Sequence, residues 1–79
     1  MDADALLLGL GQAFRARRER QGWSQEAFAQ SIGLHRTYYS AIERGERNPS
    51  FRNLHRIAEG LDLPLSTILK SAEKLAQSG

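Results

Sequence analysis

The sequence predicts an all-α fold of five packed helices in one domain, residues 1–79. Three observations lead there. Pro49 and Pro64 each stand where a helix is due to begin. The glycines fall mostly between apolar runs. Apolar residues recur at three- and four-residue spacing, and the β-branched alternation of strands is nearly absent. Seventy-nine residues leave room for a single core. A chain this short buries only about 60% of its unfolded surface. Without cysteine it needs efficient helix packing, a partner subunit, or both.

The first helix is predicted over about residues 4–21, with Leu7, Leu10 and Phe14 inward and Gly22 as its stop. The second spans 24–32. Ser24 caps it, Gln25 and Glu26 suit its first turn, and Phe28, Ala29 and Ile32 face inward. Gly33 makes a tight turn and Leu34 tucks in. The third covers 36–44 and stops at Gly45. The loop "GERNP" follows. The fourth covers 51–61, capped by Ser50, with Phe51, Leu54, Ile57, Ala58 and Leu61 inward. The fifth covers 65–76, opened by Pro64, carries Leu65, Ile68, Leu69, Ala72 and Leu75, and frays in "AQSG".

Net charge is only +2, but residues 15–56 hold nine Arg against Glu19, Glu26, Glu43 and Glu46. Guanidinium suits phosphates and guanine edges. A solvated, ion-paired face explains the same charges. No metal, cofactor or small-molecule site is expected. His35 and His55 stand far apart, cysteine is absent, and "GLG" at 9–11 lacks the strand and further glycine of a dinucleotide site. No Ser-His-acid arrangement points to an enzyme. No run of about 18 apolar residues predicts a membrane span. The Leu stripe and Arg cluster of the first helix would fit a membrane surface, but packing on the fourth and fifth helices explains the same leucines.

The stretch "GLHRTYYSAIERGERNPS" carries the chemistry. At roughly 100° per residue, Tyr39, Ile42 and Glu43 share one arc of the third helix. Arg36, Thr37, Ser40, Ala41 and Arg44 share the opposite arc, with Tyr38 on the flank. Arg can grip guanine with two bonds, hydroxyls donate or accept, and alanine lets the helix approach a base closely. An ordinary polar surface face is the plainer reading. The two short helices joined through "IGLH" have helix-turn-helix spacing.

"WSQE", "RTYYS" and "IERGERNPS" make residues 8–70 resemble the phage Cro/repressor-type helix-turn-helix family, most of all restriction-modification controller proteins. The resemblance implies a five-helix, lambda-repressor-like domain that binds a pseudo-palindromic double-stranded DNA operator as a homodimer. It also implies a cytoplasmic, nucleoid-associated regulator, with RNA polymerase a further partner. By motif position, Arg36, Thr37, Tyr38 and Ser40 become base readers. Ser24, Gln25, Arg44, Arg47, Asn48 and Asn53 become backbone contacts. Arg18 and Glu43 hold the positions of a structural ion pair. Three residues depart from the family. Tyr39 replaces an aliphatic residue and its hydroxyl needs a partner. Arg17 replaces Leu, so its stem is expected along the core with its head in water. His35 replaces a better cap, acting as a weak exposed cap or, if protonated, facing a phosphate.

Leu61, Leu63, Leu65, Ile68 and Leu69 supply more apolar surface than one small core needs and are expected at a two-fold dimer contact. With no effector domain in view, the response should follow the protein's own concentration. The alternative is an antitoxin-like or adaptor module that holds another protein on the same fold. Few residues follow the fifth helix to supply a toxin-binding segment.

Overall fold

The computed structural model describes residues 1–78 and contains five helices: α1 (Ala3–Arg20), α2 (Gln25–Ser31), α3 (Arg36–Glu43), α4 (Phe51–Gly60) and α5 (Leu65–Ser78). Each of the first four starts on a side chain that accepts from a backbone N–H. Asp2 serves Ala5, Ser24 serves Ala27, His35 serves Thr37 and Ser50 serves Asn53. α5 begins just after Pro64, whose carbonyl accepts from the Thr67 and Ile68 amides.

The helix ends share one device. After α2, Gly33 takes φ +73°, its amide donates to the Gln30 carbonyl, and the Leu34 amide reaches back to Ala29. Gly22 and Gly45 end α1 and α3 the same way. α4 repeats the pattern with Asp62 in the left-handed position, φ 58°. Side chains from α1 and from Gln21, the residue that caps it, also reach this end. Arg17 Nε and Gln21 Nε2 donate to the Leu61 carbonyl at 3.2 and 3.0 Å. The Arg17 head therefore caps a helix, rather than reaching only to water as the sequence implied.

α1 packs most extensively on α5, then on α3. Gly9 and Gly11 permit both approaches. A Cβ at Gly9 would meet the Ala72 carbonyl, and one at Gly11 the Ile42 and Glu43 carbonyls. "GLG" is thus a packing motif. Phe14, Phe28, Tyr39, Ile42, Ile57, Leu61 and Ile68 fill the centre. Trp23, between α1 and α2, meets Phe28 of α2 edgewise, and Phe28 meets Tyr39 of α3 at a tilt, with ring centroids 6.0 and 5.2 Å apart.

Several inward expectations are corrected. Phe51 is 73% exposed, because it opens the first turn of α4, ahead of the residues that meet the core. Leu69 and Leu75 are exposed on α5, while Ile68 and Ala72 hold its inner face. α5 continues through Ser78, whose hydroxyl donates to the Leu75 carbonyl, so no fraying begins at residue 76. Gly79 lies outside the described residues.

Candidate nucleic-acid interface

α2 and α3 are held at a fixed crossing by what lies behind α3. Tyr39, Ile42 and Glu43 are buried there. The Glu43 carboxylate accepts four hydrogen bonds. Arg18 Nε reaches Oε2 at 2.7 Å and Arg18 Nη2 reaches Oε1 at 3.0 Å. The Tyr39 hydroxyl donates to Oε2 at 2.5 Å and Gln25 Nε2 to Oε1 at 2.7 Å. Arg18 Nη1 also donates to the Trp23 carbonyl at 2.7 Å. One carboxylate thereby ties α1, the start of α2 and the end of α3. The guanidinium fork matches the carboxylate plane, so the pair is two-pronged as well as charged.

Burial alone would raise the Glu43 carboxyl. Hydrogen bonds from Arg18, Tyr39 and Gln25, with the Arg18 charge, prevail and hold it below the usual carboxylate range. Burial first, then the bond to Glu43, pushes the Tyr39 phenol up. Its bond to Glu43 raises Arg18 further, against the effect of burial. The network is charged as Arg⁺ and Glu⁻, with a neutral phenol. No buried side-chain nitrogen or oxygen among the described residues lacks a partner.

The opposite side of α3 is open. Arg36, Thr37, Ser40 and Arg44 converge on one shallow depression of about 170 Å³. Arg36 and Thr37 are exposed, and neither side chain has a hydrogen-bond partner among the described residues. Arg44 Nη1 donates to Ser40 Oγ at 2.5 Å, and Arg44 also pairs with Glu46 at 3.1 Å. On the flank, Tyr38 is half-buried. Its hydroxyl accepts from Asn53 Nδ2 at 3.0 Å, and the Arg47 guanidinium lies 5.3 Å from its ring centre. Tyr38, Arg47 and Asn53 therefore form one unit that joins α3, the loop and the start of α4. Asn48 is exposed in that loop. His35 Nδ1 accepts from the Thr37 amide at 3.2 Å, so in this arrangement it is a cap.

The family model described as helix-turn-helix matches residues 14–68, well over half of the chain. The chain belongs to the helix-turn-helix family. Among relatives, it is 48% identical to the control protein C.MunI of Mycoplasma over 60 residues, 76% of this chain and 81% of that protein. The restriction-modification controller protein C.AhdI of Aeromonas hydrophila superposes with a TM-score of 0.76 at 39% identity, covering 78% of this chain and 94% of the other. The controller protein C.Esp1396I, solved as a tetramer on its natural 35-base-pair operator, superposes at 0.80 with 30% identity, covering 91% and 95%.

Within this helix-turn-helix frame, two expected dimer residues are corrected. Leu61 and Ile68 are 0% and 1% exposed in the single chain. Leu61 turns inward where α4 ends, and Ile68 shares the inner face of α5 with Ala72. Neither has surface left for a partner. Leu63 and Leu65 are partly buried, and Leu69 is 37% exposed. The sequence reading also missed the bond from Gln25 to Glu43. Gln25 sits one residue after a cap, and nothing in that spacing tells whether its amide turns out or in.

Proposed function

We propose that this chain is a sequence-specific, double-stranded DNA-binding transcriptional regulator that controls a restriction-modification system, its own expression included. The observation that carries the reading is the two-sided construction of α3. One side is pinned through Glu43, and the other presents Arg36, Thr37, Ser40 and Arg44 together. A rigid helix with clustered donors on its free side suits the major groove of B-form DNA. Arg36 and Thr37 are the first readers, since no internal bond must break to release them. Ser40 reads beside Arg44, which bonds its hydroxyl and serves as a backbone contact, and Tyr38 reads from the flank as its tether allows.

Ser24, Arg47, Asn48 and Asn53 line the edges where phosphates would pass. Gln25 keeps one amide hydrogen for a phosphate after giving the other to Glu43. Leu63, Leu65 and Leu69 provide the two-fold contact that sets two recognition helices about 34–36 Å apart on an inverted repeat. Weak dimerisation makes occupancy steep in protein concentration, which suits an autoregulatory switch. RNA polymerase is the further partner of such a regulator. The same reading places the chain in the bacterial cytoplasm, on the nucleoid. No described helix is long and apolar enough to cross a membrane.

Selection of bound sequences from random DNA, with stoichiometry by native mass spectrometry, tests the reading. Two protomers per inverted repeat are expected. Arg36→Ala should cost about 1–3 kcal/mol on the best site and relax preference at one base position. Arg47→Ala should weaken all sequences evenly and reduce the salt slope by about 1. Equal losses on specific and random DNA for Arg36→Ala would remove it as a reader. Absence of any enriched sequence would defeat the reading as a whole.

A further inference from the structure

A groove of about 530 Å³ lies between α1 and α5. Ala13, Ala16 and Leu75 give it an apolar floor, and Leu63, assigned above to the two-fold contact, also lines it. Arg17, Arg20 and Lys74 stand along it, and no Asp or Glu lines it. Arg20 and Lys74 are exposed, and none of the three cations is in an ion pair among the described residues. Arg17 spends only its Nε on the Leu61 carbonyl, so its two terminal nitrogens remain. An apolar strip rimmed by polar groups marks a place of contact.

The charge of the rim chooses among occupants. A second copy laid groove to groove would bring two sets of these three cations into one interface with no lining carboxylate to pair them, an arrangement that like-charge repulsion opposes. The occupant must bring carboxylates. It must also bring an apolar ridge, because apart from the Thr67, Ser71 and Ser78 hydroxyls the uncharged lining is apolar. At 1.5 Å per residue the α1 wall, Ala13 to Arg20, runs about 10 Å, which matches about two turns of a partner helix.

We propose that the α1–α5 groove is a docking site for an acidic amphipathic helix of another protein. Leucines at helical spacing lie on the floor, and glutamates flanking them pair with Arg17, Arg20 and Lys74. The groove takes no residue from the face of α3, so the helix and a DNA duplex can be held at once.

The test uses the full chain and a labelled helical peptide of about 14 residues, with leucines on one stripe and glutamates beside it. A control peptide carries lysine for every glutamate. Fluorescence anisotropy should show saturable binding of the acidic peptide that weakens with salt. The double variant R20E/K74E should keep the parent circular dichroism and melting temperature, since both residues are exposed, yet bind the acidic peptide about tenfold more weakly. Amide shifts should gather at Ala13, Ala16, Thr67 and Ser71. Equal binding of the lysine peptide, undiminished binding by the double variant, or shifts gathered at α2 and α3 would each overturn the proposal. So would shifts at Ala13 and Ala16 that depend on protein concentration without peptide, which would place a second copy in the groove itself rather than at Leu63, Leu65 and Leu69.

Discussion

Replacing Glu43 by Ala removes the carboxylate on which Arg18, Tyr39 and Gln25 converge. The Arg18 and Glu43 side chains are only 7% and 2% exposed, so water cannot take over the lost bonds. Stranding one member of such a buried pair costs about 3–5 kcal/mol. At about 0.05–0.15 kcal/mol per residue, a domain of this length has roughly 4–12 kcal/mol in all. The substitution therefore consumes a large part of the stability, and at about 4 °C or more per kcal/mol it should lower the melting temperature by at least 12 °C. Tyr39→Phe removes one of the four bonds and leaves the charge pair, so about 1.5–3 kcal/mol is expected. In a Glu43→Ala background the same Tyr39→Phe change should cost much less, because its partner is already gone. Calorimetry and urea titration of the four proteins close the cycle. If Glu43→Ala melted with the parent and lost only DNA affinity, the carboxylate would belong to the DNA surface and the account of a pinned helix would fail.

Three further outcomes follow from the same geometry. Because the folded Glu43 carboxyl lies below its unfolded value of about 4.3, its stabilisation is complete above that pH and drains as pH falls through the folded value. Urea midpoints from pH 7 to 2.5 should then fall less steeply for Glu43→Gln than for the parent, and parallel curves would deny the linkage. Gly11→Ala pushes a methyl into the carbonyls that end α3, so a loss of about 1–3 kcal/mol is expected together with weaker operator binding. An unchanged melting temperature would mean that α1 and α3 can separate freely. Asp62→Gly places at φ 58° the residue that suits it, and should gain about 1 kcal/mol, seen as a rise of about 4–8 °C in melting temperature. A fall would show that the Asp62 side chain matters more than its backbone.

Much of the fold was legible in the chain because local physics decides it. Ser24, Ser50, Gly22, Gly33 and Gly45 mark helix ends through bonds and dihedrals that reach only a few residues along the sequence. The two arcs of α3 follow from a repeat of 3.6 residues, so Arg36, Thr37 and Ser40 separate from Tyr39, Ile42 and Glu43 before any packing is known. Tertiary structure alone decided the rest, because those contacts join residues distant in sequence. Leu61 and Ile68 look no different from Leu63 and Leu69 in an apolar run, and only the position of α1 and α4 shows which pair is enclosed. The inward turn of the Gln25 amide and the reach of Arg17 to the Leu61 carbonyl each need two helices in place, whereas the Tyr39 hydroxyl finds Glu43 one turn along its own helix. Caps and helical faces are one-dimensional properties; closure of a buried network is a property of the assembled helices.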